Sequence, residues 1–123
     1  MEGEKEMVIF HKVDEQDVID DLNKNRFEGD VKAYVVMDGA QYIGHALYRV
    51  SGEVADVLEC QVTENAFVDG AVRACAAAAE NVGTKRFTLN ENDAALAKWR
   101  SVFCKNDGIE IENEKIFNKC AGK

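Results

Sequence analysis

From Ala66 to Val82 the chain spells a helix that is apolar almost all the way round, with Asp69, Arg73 and Glu80 as its few charged positions. A helix with so little polar surface must be covered on most of its sides. Asp69 and Arg73 are spaced to pair along the one stripe left to solvent. Ala74 to Ala79 is made only of small residues, so the helix can lie close against a sheet. That run falls far short of the roughly 20 apolar residues that span a bilayer. Residues 1–6 are acidic and lack the basic-then-apolar order of a signal peptide. A cytoplasmic protein with no membrane partner is expected.

The rest of the chain supplies the sheet. Its 123 residues suit one domain, 1–123, with a single core. Met7 to His11 reads as a first strand. Asp14 suits a helix N-cap, with Val18, Ile19 and Leu22 at helical spacing behind it. Asp14, Glu15 and Asp17 fall in the first turn, where they complement the helix dipole. After a loop at 25–30, Val31 to Val62 reads as an antiparallel meander of Lys32–Met37, Tyr42–Val50 and Val54–Val62, turned at Asp38-Gly39 and Ser51-Gly52. Gly44 inside the middle strand marks a bulge or a close backbone approach. Beyond the long helix, Val82-Gly83 is a stop and Arg86 to Leu89 a short buried strand. Asn92 to Lys105 forms a second amphipathic helix ended by Gly108, and Ile109 to Phe117 alternates as a last strand. A half-apolar, unpaired edge is a template for another chain, so a homodimer is expected.

Composition narrows the chemistry. The formal charge of −8 and the scatter of Lys and Arg argue against a nucleic-acid partner. An acidic surface favours a cationic acceptor, such as a small-molecule amine or a Lys-bearing peptide. Cys60, Cys75, Cys104 and Cys120 form no Cys-x-x-Cys pair, so no metal site is expected. His11 and His45 have no sequence-adjacent Cys or Asp and read as structural histidines.

Between Val62 and Trp99 the sequence resembles the Gcn5-related N-acetyltransferase (GNAT) superfamily, as a short and divergent member. In that family a strand ends in Val and a loop of pattern Arg/Gln-x-x-Gly-x-Gly/Ala opens a helix. A later Asn-x-x-Ala begins the helix that carries a Tyr. Val62, the loop Phe67-Val-Asp-Gly-Ala-Val72, Asn92 and Ala95 match that spacing without a gap. The resemblance implies a mixed α+β, three-layer αβα domain of GNAT-like acyl-CoA N-acyltransferase fold. Its central sheet is mostly antiparallel, with one splayed parallel strand pair. It also implies acetyl-CoA as co-substrate and an amine as acceptor.

On this resemblance Val62 ends the strand that holds the acetyl and pantetheine arm, and the amides of Phe67, Val68, Asp69, Gly70, Ala71 and Val72 would cradle the pyrophosphate, with Asn92 opening the next helix. Glu59, on the strand before the loop, is the candidate base if it points toward the splayed pair. Only Gly70 is kept from the loop pattern. Phe67 stands in place of a phosphate donor and Val72 in place of a small residue. Asp69 brings a like charge to the phosphates, worth about 3 kcal/mol of repulsion at 5 Å and an effective dielectric of 20. Trp99 falls where the family has its Tyr, and an indole N–H donates a hydrogen bond but no proton. Three readings stay open: an acetyl-CoA-dependent N-acetyltransferase, a domain of this fold kept for binding or dimerisation, or a stand-alone αβ protein with an accidental likeness. In the second, residues 67–72 are a plain helix start, capped by Asn65 or Asp69, with Gly70 packing on the sheet.

Overall fold

The computed structural model describes residues 8–62, 64, 66–105 and 108–116. Its strands are β1 (Val8–Lys12), β2 (Val31–Asp38), β3 (Gln41–Ser51), β4 (Val54–Val62), β5 (Arg86–Leu89) and β6 (Ile111–Glu112). Its helices are α1 (Gln16–Asn23), α2 (Ala66–Asn81) and α3 (Ala94–Phe103). The strands form one sheet in chain order, β1 to β6. Every neighbouring pair is antiparallel except β4 and β5, which run parallel from Val54 beside Arg86 to Val57 beside Leu89. This is the mixed αβα arrangement expected from the sequence.

The two hairpins turn on glycine. Gly39 and Gly52 each take the first turn position at φ +61° and +63°, the left-handed region that a two-residue turn demands there. One face of the sheet carries α1, through Ile19 with Val31, Ala33, Leu47 and Leu58. The other carries α2 and α3. On that side Val68, Ala71, Val72, Cys75, Ala76 and Ala79 are buried against Ala46, Tyr48, Val57, Phe87, Leu96 and Trp99. The helix that is apolar all round is thus covered by sheet and helix together. Gly70 has no room for a side chain: a Cβ there would come within 2.6 Å of the Phe10 ring.

Two bulges interrupt the meander side by side. Val36 pairs Gly44 while Met37 pairs Tyr42, leaving Ile43 as the extra residue in β3. Leu47 pairs Glu59 while Tyr48 pairs Val57, leaving Leu58 extra in β4. Gly44 answers both readings of its strand position. It follows the bulge, and a Cβ on it would lie 2.2 Å from the Gln61 carbonyl oxygen.

Several boundaries depart from the sequence reading. The N-cap of α1 is Glu15, with no side-chain capping bond, so Asp14 and Glu15 precede the helix and Asp17 alone is acidic in its first turn. The α3 helix is capped by Asp93, whose side chain accepts from the Leu96 amide, and it ends at Cys104 rather than at Gly108. The last strand shrinks to two residues. Asn113 is buried, donates to Glu80 Oε1 and to the Thr84 carbonyl, and its amide bonds the Lys85 carbonyl. That anchor turns the chain into a single helical turn at 113–116. Met7, Asn65, Phe117 and Cys120 lie outside the described residues.

Candidate functional site

The bulges decide which side chains meet. Along a regular strand, residues i and i+3 face opposite ways. The extra residue at Ile43 shifts that phase and brings Tyr42 and His45 together, with their rings stacked at a centroid distance of 6.4 Å. In β4 the extra residue puts Leu58 in the α1-side cluster and keeps Glu59 on the same side, before Cys60 returns to the α2 side.

A polar row results. Arg26, in the turn after α1, donates to both Glu59 oxygens at 2.5 and 3.0 Å. His45 Nε2 lies 2.7 Å from Glu59 Oε2, and Tyr42 Oη lies 2.6 Å from His45 Nδ1. Glu59 is 5% exposed and His45 6%, while Tyr42 is 51% exposed. Burial pushes the Glu59 carboxyl up. The bonds from Arg26 and His45, together with the Arg26 charge, outweigh that and hold it below the usual carboxylate range. Burial and the Glu59 charge push the Tyr42 hydroxyl up, so it stays protonated. In the neutral ring with Tyr42 donating to Nδ1, the remaining His45 proton sits on Nε2 and is given to Glu59.

The β4 edge beyond the parallel pairing is closed from within. The Asn90 amide and side chain donate to the Val57 and Leu58 carbonyls, each at 2.9 Å. The Cys60 amide donates to Asp93 Oδ2 at 2.9 Å, while Asp93 Oδ1 caps α3 through Leu96. The Cys60 thiol, buried and beside the Asp93 and Glu59 charges, is pushed up to about 12. It is a packing residue rather than a nucleophile.

The expected phosphate loop is part of α2. Phe67 donates its amide to the Glu64 carbonyl, and from Gly70 onward the amides fall within the intrahelical ladder. The two residues that break the family pattern most sharply meet each other. Asp69 Oδ1 accepts from Trp99 Nε1 at 2.9 Å, and Asp69 Oδ2 accepts from Arg73 Nε at 2.9 Å. Arg73 reaches on to the Ile116 carbonyl at 2.7 Å. An apolar cavity of about 200 Å³ opens beside this knot, walled by Val68, Ala95, Trp99, Val102 and Phe103, with Lys98 at its side.

The structure therefore gathers only some of the residues read from the sequence. Val68 and Asp69 share the apolar cavity. Val62 lies at the β4 end, in a shallow cavity with Tyr42 and Gly44. Asn92 is exposed, donates its amide to Asn90 Oδ1, and lines a third cavity with Asp56, Thr88 and Asn90. Fitted against acetyl-CoA, the apolar wall suits the acyl arm, and among the described residues Lys98 is the one cation lining that cavity. Asp69 and Glu64 bring negative charge to the α2 start, and Arg73 is already bonded. Sequence reasoning missed His45 and Tyr42 as site residues. The signal was Gly44: a bulge there changes which side chains face each other.

Among the described residues no group of three or more His, Cys, Asp or Glu is placed to hold a metal, and no helix is long and apolar enough to cross a membrane. No protein-family profile and no curated protein sequence matches the chain. A solved structure does: a probable acetyltransferase of the GNAT family from Chromobacterium violaceum, at 21% identity and a TM-score of 0.51. The match covers 75% of this chain and 55% of that one, so the chain spans about half the length of its structural neighbour. The likeness establishes a GNAT-like fold.

Proposed function

We propose that this domain is a small acyltransferase that moves an acyl group from a thioester to an amine, with acetyl-CoA as the donor the fold points to. One observation carries the reading: a buried imidazole, His45, oriented by a buried carboxylate beside the β4 bulge. Acyl transfer to an amine needs a proton acceptor, and a histidine held in one tautomer by a carboxylate is suited to that work. A thioester donor supplies an activated carbonyl and a thiolate leaving group. His45 takes the proton. Glu59 stays ionised, fixes the ring and compensates the imidazolium charge, while Arg26 keeps Glu59 from being protonated. The role expected of Glu59 is thereby passed to its neighbour. Buried charges of this kind add little stability over an apolar set of the same volume, which favours a functional reason for keeping them.

The donor is held by shape rather than by phosphate recognition. The Asp93 carboxylate must leave the Cys60 amide for a thioester carbonyl to take it. Amine-dependent thiol release tests the reading. The wild-type chain should turn over a thioester in the presence of a primary amine, and His45→Gln should lower kcat by about 10²-fold or more, the usual size of a general-base contribution. Equal rates would remove His45 from the chemistry.

A second reading rests on the two locks, Asp69 with Trp99 and Asp93 with the Cys60 amide. If those contacts persist in the presence of any thioester, the fold is retained for binding alone.

A further inference from the structure

The polar row does not end inside the protein. Its last member, Tyr42, is half exposed and lines a shallow cavity of about 430 Å³ with Ile43, Gly44, Cys60, Gln61 and Val62. Gly44 lines that cavity, where a Cβ would lie 2.2 Å from the Gln61 carbonyl oxygen. Among the described residues the lining contains no cationic side chain, and its polar groups include the Tyr42 hydroxyl, the Gln61 amide and backbone atoms. Cys60 and Val62 belong to the part of β4 beyond its pairing with β5, which ends at Val57 beside Leu89, so the cavity lies at the end of β4 that β5 does not cover. A tyrosine kept for packing alone has no need of a hydroxyl within 2.6 Å of a buried imidazole.

We infer that this cavity receives the acceptor, an unhindered primary amine, and that Tyr42 is the group that takes its proton. The inference deepens the acyltransferase reading and rests on it. The amine nitrogen forms a bond to the thioester carbonyl carbon as the C–S bond breaks, and that electron pair leaves on sulfur. The proton shed by nitrogen passes to Tyr42 Oη while the hydroxyl's own proton moves to His45 Nδ1. The imidazolium then lies between Tyr42 and the ionised Glu59. The amine attacks in its neutral form, its ammonium proton having been lost to solvent, and the net charge of −8 favours the approach of such a base over an anionic acceptor.

The experiment uses the full chain with ring-labelled tyrosine, titrated with n-butylamine and, as control, n-butanol. Tyr34 and Tyr48 pack together at a ring distance of 5.8 Å and serve as internal references. The expected result is a saturable shift of the Tyr42 resonance by the amine alone. Tyr42→Phe, at a half-exposed position that tolerates the change, should keep thioester affinity and lose about 10²-fold in kcat/KM for the amine. An unmoved Tyr42 signal, or full kcat/KM in Tyr42→Phe, overturns the inference. Saturable amine binding with no turnover in the wild-type chain is a separate result. It overturns the transfer step and the acyltransferase reading, while leaving an amine-binding site at Tyr42.

Discussion

Replacing Glu59 with Gln removes the charge at the centre of the polar row and leaves the side-chain shape. Two guanidinium bonds and one imidazole bond converge on this carboxylate, and its own side chain is 7% exposed. Breaking one partner of a fully buried pair costs about 3–5 kcal/mol. Arg26 is 43% exposed and regains water when released, so the lower range of about 1.5–3 kcal/mol for bonds to a charged group applies. Urea unfolding followed by the fluorescence of Trp99, the sole tryptophan and a buried one, reads this directly. At an m-value of about 2 kcal/mol per molar the midpoint should fall by roughly 1 M. The pH dependence has a definite sign. A carboxyl held below its ordinary value of 4.5 stabilises fully above that value and loses its contribution as pH falls through the lower folded-state value. The gap between wild type and Glu59→Gln should therefore close on acidification. The double variant Arg26→Met with Glu59→Leu should recover most of the loss, as apolar replacements of buried ion pairs do. A loss under about 0.5 kcal/mol, the scale of an exposed ion pair, would refute the reasoning.

Other substitutions test the frame. Gly44→Ala puts a Cβ 2.2 Å from the Gln61 carbonyl oxygen and 2.7 Å from Val62 Cα; thermal unfolding should show a loss of about 2 kcal/mol or more, since the β4 backbone cannot yield as a side chain does. Asp93→Ala removes a cap and a partner of the Cys60 amide, costing about 2 kcal/mol by urea unfolding. Asp93→Ser restores the cap alone, so amide exchange at Cys60 should stay fast while helix stability returns. Trp99→Phe and Asp69→Asn should each cost about 1 kcal/mol, with a double-mutant coupling energy that shows they share one contact; strict additivity would mean they do not.

The meander and the crossover helix were legible because short-range rules fix them. Alternation, two glycine turns and a helix with no polar side each leave few placements. The last strand was not legible: Ile109 to Phe117 alternates well, yet buried Asn113 takes three backbone and side-chain bonds that turn the chain at once. Ile109, the residue that starts the pattern, is exposed. The polar row stayed hidden for a different reason. A period of two sends Tyr42 and His45 to opposite faces, and only the bulge marked by Gly44 reverses that. In the same way Asp69 and Trp99 each stood out as a departure from the family pattern, but nothing local in the sequence joins residues so far apart. Their hydrogen bond turns two separate departures into one replacement.

Calorimetric titration of the wild-type chain with acetyl-CoA and with nucleotide-free S-acetylpantetheine tests the central claim most directly. If the end of β4 beyond its β5 pairing holds a thioester by shape, both ligands bind below millimolar, within about threefold of each other, and added salt changes neither, because no exposed charge pair is formed. Silence toward both at millimolar concentration would contradict the claim and leave a domain of this fold kept for binding alone.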